Sequence, residues 1–238
     1  MTTLDDLLAD PPRVHDWGLA APIFSGLPRE AYCRIHDRID GHSRTLETGT
    51  GISTAIFALK KGAHICIAPD SAENERLKAF CSAKGVSLDG VRFILDRSER
   101  VLGALDAGPL DLVLIDGSHG FPVAFLDFYY AAPMLKINGT LVIDDIHLWT
   151  GRVLAEFLRA EPEWELEAIF DRKTAFFIKK ANYDVGKEWV DQPYVVSHSA
   201  KNRFARPKRI IGYVLHGKFP LLRKKMREKF RGGQSQGR

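Results

Sequence analysis

Short strand-like runs alternate with longer amphipathic segments over the first two thirds of the chain. The runs fall at Thr45–Glu47, Ala63–Ala68, Val91–Leu95, Leu110–Ile115 and Thr140–Ile143. Between them lie Ser53–Lys61, Ala72–Lys84, Ser98–Leu105 and Phe121–Lys136, each long enough for two or more helical turns. Such alternation predicts an α/β fold with a parallel sheet covered on both faces. Right-handed crossovers then stack the units into a doubly wound, Rossmann-like sheet. A further helix is expected from about Thr150 to Ala160, stopping near Pro162. Two more strands follow, Trp164–Phe170 and Thr174–Ile178, separated only by Asp171-Arg172-Lys173. A connection that short allows only an antiparallel hairpin. Residues 1–42 read as an N-terminal cap segment of loops with a helix at Arg29–Ile39, residues 43–180 as the α/β domain, and residues 181–238 as a linker and tail.

Composition places the 238 residues, 45% hydrophobic and 27% charged, among globular proteins with a packed core. No run reaches the ~20 apolar residues of a membrane span, and the acidic start, Met1 to Asp10, does not read as a secretory signal. Cys33, Cys66 and Cys81 are odd in number and form no close-spaced pair, which argues against structural zinc and a disulfide framework and for a cytoplasmic setting. The net charge of +4 hides an asymmetry. Residues 201–238 hold 13 Lys and Arg against Glu228 alone, leaving 21 bases against 29 acids in residues 1–200. The body is acidic and the tail cationic.

The first strand ends in Leu46-Glu47-Thr48-Gly49-Thr50-Gly51-Ile52-Ser53. Ligands of open α/β sheets bind beyond the carboxyl ends of the strands, and glycines there let backbone amides approach without a Cβ in the way. A carboxylate two residues ahead of the first glycine does not suit a pyrophosphate. It suits a ligand with cationic groups, such as the ammonium and sulfonium of S-adenosylmethionine, and so disfavours an NAD-dependent oxidoreductase. The fourth strand ends in Asp116-Gly117-Ser118-His119 and the fifth in Asp144-Asp145-Ile146-His147. Both strands neighbour the first, so the three aspartates are expected at one rim, where mutual repulsion raises their pKa values unless a cation joins them. An all-oxygen set of this kind suits Mg²⁺. Imidazole is suited to proton transfer near neutrality, which makes His119 a candidate base, with His147 a weaker one. The structural alternatives are a helix cap for Asp145 and a loop role for His119.

The stretch from Arg44 to about Leu158 resembles class I S-adenosylmethionine-dependent methyltransferases, whose first motif is acid-x-Gly-x-Gly-x-Gly. The stretch Leu141-Val-Ile-Asp-Asp-Ile-His147 is most similar to a bacterial branch with an acidic end to the fifth strand. The resemblance implies the Rossmann-like methyltransferase fold, five parallel strands finished by one hairpin. It implies that Glu47, Gly49, Thr50 and Gly51 hold the methionine part of the cofactor, with Ser53 in place of the usual third glycine. It also implies that Asp96 and Ser98 lie where the family touches adenine, although either could equally cap a helix. The family usually ends its second strand in a ribose-binding acid, whereas this chain reads Ile65-Cys66-Ile67-Ala68-Pro69-Asp70. Asp70 either serves from a later position or is the N-cap of the next helix. Catechol-type and macrocin-type O-methyltransferases place Mg²⁺ on residues like Asp116, Asp144 and Asp145, and the catechol type has a lysine where His119 stands.

The leading expectation is therefore an S-adenosylmethionine-dependent, Mg²⁺-assisted O-methyltransferase acting on a hydroxyl of a sugar, glycolipid or other small molecule. The alternative is a catalytically silent methyltransferase-fold binding protein tethered by its tail. A homo-oligomer is compatible with either. In the tail, Leu222, Met226 and Phe230 share one face after Pro220, and Lys224, Lys225, Arg227 and Arg231 occupy the rest. Such a segment suits docking on the acidic body or an anionic membrane surface, as on the inner face of the cell membrane. Nucleic acid is disfavoured because no base-stacking module is evident. If the tail binds membranes, deleting residues 207–231 is expected to abolish sedimentation with acidic liposomes, and moderate salt to weaken it. No sedimentation of the intact protein at low salt would leave docking on the protein's own body.

Overall fold

The computed structural model describes residues 2–199. Seven strands form one sheet: β1 (Arg44–Thr48), β2 (Ala63–Ile67), β3 (Val91–Ile94), β4 (Leu110–Ile115), β5 (Leu135–Ile143), β6 (Trp164–Phe170) and β7 (Thr174–Lys179). Their order is β3-β2-β1-β4-β5-β7-β6. The first five run parallel, and β7 pairs antiparallel with both β5 and β6. This is the expected doubly wound, Rossmann-like sheet with its terminal hairpin. The helices are α1 (Leu4–Ala9), α2 (Arg29–Arg38), α3 (Ile52–Leu59), α4 (Ser71–Lys84), α5 (Ser98–Val101), α6 (Val123–Met134) and α7 (Trp149–Ala160).

Alternation along the central strands divides the interior into two cores. Leu46, Val113, Ile115, Leu141 and Ile143 pack with Ala124, Phe128, Leu154 and Leu158 of α6 and α7. Leu112, Leu114 and Val142, one residue out of phase, pack with Leu7, Ile35, Ile56 and Phe57 of α1, α2 and α3. Residues 1–42 thus contribute to one of these cores. Lys179 is buried at the end of β7, where its ammonium donates to the carbonyls of Ala132 and Leu135 at 2.7 Å each, satisfying the end of α6.

Three local outcomes differ from the pattern reading. Helix α1 has no counterpart there; a capping box starts it, with Thr3 Oγ1 accepting from the Asp6 amide and Asp6 accepting from the Thr3 amide. The helix expected over Ser98–Leu105 breaks into α5 and a 3-10 turn at Leu102–Ala104. Gly103 sits in that turn, where a Cβ would stand 3.2 Å from the Tyr130 ring. Strand β5 begins at Leu135 rather than Thr140, because α6 stops just after Pro133 and the pairing with β4 absorbs the irregularity between Leu110 and Leu112.

The chain divides into two compact units, Met1–Gly186, which holds the sheet, and Lys187–Arg238. In the second unit the described residues include a 3-10 turn at Trp189–Asp191 and a Tyr194–His198 ring contact. The basic tail at residues 201–238 lies outside the described residues. Among the described residues, no helix is long and apolar enough to cross a membrane.

Asp127, on α6, is wholly buried near Thr48 and Ser98. Burial pushes its carboxyl up to about 6, with the two hydroxyls pulling the other way. An unfolded aspartate titrates near ~3.9, so the buried group costs nothing below that pH, and stability is lost as pH rises through about 6. Asp127→Asn is expected to be more stable than wild type at about pH 7.5, by on the order of 1–3 kcal/mol. Urea titrations should show that gain shrinking to nothing by about pH 4.

Candidate active site

The carboxyl ends of β1, β2, β4 and β5 open into one cleft of about 550 Å³, a volume typical of small-molecule sites. Its floor is the turn after β1. Gly49 has φ +95°, and a Cβ there would stand 2.3 Å from the Asp116 carbonyl oxygen. Only glycine meets both conditions, and the contact sets the β1 turn directly against the end of β4. Thr50 follows in the cleft wall, its buried Oγ1 without a hydrogen-bond partner among the described residues. Gly51 is extended (φ 173°) and buried, so its backbone does not itself demand glycine.

Glu47 takes a different place from the one expected. It points into the core and is 1% exposed, outside the lining of the cleft. Its Oε1 lies 3.1 Å from His64 Nε2 and accepts from Thr54 Oγ1; His64 Nδ1 lies 2.8 Å from Thr45 Oγ1. Strand alternation explains this. Thr45 and Glu47 share one face of β1 and meet His64 of the adjacent β2 beneath α3, where Phe57 stacks on the imidazole at 4.3 Å. Ser53 is buried within α3, also away from the cleft.

At the opposite wall, Asp116, His119, Asp144 and Asp145 all reach the cleft. His119 Nε2 is 2.8 Å from Asp145 Oδ2, and His147 Nδ1 is 3.6 Å from Asp145 Oδ1. Asp145 is left-handed, φ 52°, a conformation that aspartate tolerates better than most residues. Asp144 is 4% exposed, accepts from Thr174 Oγ1 and lies 3.0 Å from Lys173 Nζ. The same ammonium is 3.4 Å from Asp145 and donates to the Gly26 carbonyl at 2.6 Å. Lys173, from the β6–β7 turn, is thus the cation at the three-aspartate rim. Burial pushes the Asp116 carboxyl well up, and Asp144 and Asp145 add to the shift. Burial also acts to raise Asp145, but its hydrogen bond with His119 and the charges of His119, Lys173 and His147 outweigh it and hold that carboxyl low. Burial acts to lower Lys173, and the surrounding aspartates reverse the sign and raise it.

The expected metal trio therefore changes by one member. Asp144 is occupied by Lys173 and Thr174, and the donor atoms that converge within 4.8 Å belong to Asp116, His119 and Asp145. Of the other expected contacts, Ser98 lines the cleft and Asp96 does not; Asp96 Oδ1 instead accepts from the Arg97 amide at 2.7 Å. Asp70 is the N-cap of α4, accepting from the amides of Ala72 (2.7 Å) and Glu73 (3.1 Å). His15, Trp17, Glu73 and Lys173 also line the cleft, and no motif in the sequence marks them. An acid in the first turn after β2 is a signal that could have found Glu73; an isolated histidine near the N-terminus carries none.

Residues 46–146 match the family model described as a methyltransferase domain. No curated protein matches the sequence. Among solved structures, cofactor-bound Rv0187 from MTB is 21% identical with a TM-score of 0.58, over 68% of this chain and 85% of that one. The O-methyltransferase TomG from Streptomyces achromogenes, in complex with SAM, is 17% identical with a TM-score of 0.56, over 66% and 82%. An rRNA methylase from Streptococcus thermophilus is 13% identical with a TM-score of 0.52, over 66% and 99%. At these identities the likeness to solved structures is one of fold. Residues 46–146 are thus similar to a methyltransferase domain, and the sheet around them has the Rossmann-like methyltransferase fold.

Since Glu47 serves His64 and Thr54 in the interior, Glu47→Ala is expected to lower stability by about 2–4 kcal/mol, with Glu47→Gln milder. Urea midpoints test this. A Glu47→Ala protein as stable as wild type would show that the buried pair is dispensable.

Proposed function

We propose that this protein is an S-adenosylmethionine-dependent methyltransferase that methylates a hydroxyl of a small molecule. The observation that carries the reading is the continuity of one cleft from the Gly49–Thr50 turn to the Asp116–His119–Asp145 cluster. The turn end suits the cofactor: its backbone is open to close approach, and Thr50 brings a hydroxyl to the cleft wall. The far end suits the acceptor. Asp145 holds His119 through Nε2, which leaves Nδ1 to take the hydroxyl proton as the oxygen attacks the methyl carbon. The new O–CH₃ bond forms as the S–CH₃ bond breaks, and S-adenosylhomocysteine leaves with the bond's electron pair. Two residues beyond each histidine stand Phe121 and Trp149, 68% and 57% exposed, with ring centroids 6.0 Å apart. They form an exposed aromatic pair outside the lining of the cleft.

A divalent cation, Mg²⁺ among them, is the second reading, favoured by the convergence of Asp116, His119 and Asp145. These three would hold it, and its chemistry is to lower the pKa of the acceptor hydroxyl. The imidazole suits a transition ion better than Mg²⁺, which favours oxygen alone. His119 cannot be ligand and free base at once, so the two readings part experimentally. S-adenosylhomocysteine formation is measured over a panel of hydroxylated acceptors, with and without EDTA. The base reading expects full activity in EDTA and a loss of ~10²–10⁴-fold in His119→Ala. Loss in EDTA restored by Mg²⁺ or Mn²⁺ selects the cation reading. No thermal shift with S-adenosylmethionine or S-adenosylhomocysteine would sink both.

A further inference from the structure

The positive charge at the rim of the cleft belongs to the chain itself and is fixed from both ends of one residue. The β6–β7 turn has positive φ at Asp171 (49°) and Arg172 (55°), as the central residues of a type I′ turn do. The Lys173 amide closes it, donating to the Phe170 carbonyl at 2.9 Å, and the Lys173 carbonyl accepts from the Ile146 amide at 2.8 Å, one residue beyond Asp145. The backbone of the lysine is thus pinned to the end of β5. Its ammonium meets three acceptors: the Gly26 carbonyl at 2.6 Å, Asp144 Oδ2 at 3.0 Å and Asp145 Oδ1 at 3.4 Å. An ammonium has three N–H donors. The set is complete, and Lys173 lines the cleft with no donor left over for a ligand.

The oxygens that Lys173 engages are of the kind a hard divalent ion selects. Asp144, the most buried of the three rim aspartates, has both oxygens engaged, Oδ2 by Lys173 and Oδ1 by Thr174 Oγ1. Asp145 is divided, with Oδ1 toward Lys173 and Oδ2 2.8 Å from His119 Nε2. Donor atoms of Asp116, His119 and Asp145 still converge within 4.8 Å. An ion held there, however, would share Asp145 with a fixed positive charge. Like charges a few ångströms apart repel, and more strongly away from bulk water than in it. The side chains concerned are 24% exposed for Lys173 and 1% for Asp144.

We propose that Lys173 is a tethered cation that stands in place of a divalent ion at Asp144 and Asp145, and so sets the affinity of the rim for such ions. Removing its charge uncovers a divalent-cation site that includes Asp144. Calorimetry on the full chain, freed of metal by a chelator, measures binding of Mn²⁺ and separately of Mg²⁺. Lys173→Met keeps most of the apolar stem and drops the charge; it is expected to bind Mn²⁺ ~10-fold or more tightly than wild type. Lys173→Arg keeps the charge and should stay close to wild type. Asp144→Asn added to Lys173→Met should abolish the gain. Equal or weaker Mn²⁺ binding in Lys173→Met than in wild type overturns the proposal, as does a gain that survives Asp144→Asn. Should Lys173→Met fail to fold for want of the Gly26 contact, Lys173→Gln, which keeps a donor for that carbonyl, takes its place in the same comparison. The titrations use neither cofactor nor acceptor, so failure here and failure of the methyltransferase reading are separate results.

Discussion

One ammonium organises the rim of the cleft. Lys173 reaches from the β6–β7 turn to Asp144 and Asp145 at the end of β5 and to the Gly26 carbonyl of the N-terminal segment. Without it, three carboxylates at one rim would lack a fixed countercharge, and burial would force them toward protonation. With it, Asp144 is engaged by Lys173 and Thr174, while Asp145, its carboxyl held low, pairs with His119. The hairpin that closes the sheet is therefore also a source of charge for the site. It fastens the N-terminal segment at the Asp144–Asp145 side of the cleft, as His15 and Glu73 do beside the end of β2.

That division of labour separates two kinds of carboxylate. Glu47, Asp127 and Asp144 are consumed by the interior: one by a histidine and a threonine, one by burial beneath the cleft, one by a lysine and a threonine. Glu73, Asp116 and Asp145 line the cavity, as does Asp144 with its oxygens already engaged. A buried charge that already has its partners has little to offer a ligand. One that lines the cavity with a spare oxygen does.

Much of the fold was legible because periodicity records burial on each face of the sheet. Leu112 and Leu114 lie in one core and Val113 and Ile115 in the other, and a run apolar on both faces can only be an interior strand. Element ends were less legible where tertiary contacts decide them, as at Gly103 against Tyr130 and Leu135 opposite Leu110. At the site, the glycine turn and the acids after β4 and β5 could be read because they sit at strand ends, which topology brings together. The direction of a side chain could not. Glu47 satisfies the motif yet turns inward, and Asp144 reaches the cleft already engaged, since the partners that claim them, His64 and Lys173, are distant in sequence and carry no motif of their own. His15 and Glu73 were hidden for the same reason.

The left-handed backbone at Asp145 reaches beyond its chemistry. At φ 52° the position accepts glycine, asparagine or aspartate with little penalty and most other side chains with a larger one. Of the three, glycine has no group to offer an imidazole and asparagine has no charge. Under the proposed mechanism, backbone shape and the need for a charged acceptor narrow the choice independently, and they intersect on a single amino acid. A library randomised at residue 145 and selected first for folding, then for turnover, should contract in two stages, from the full alphabet to a few letters and then to one.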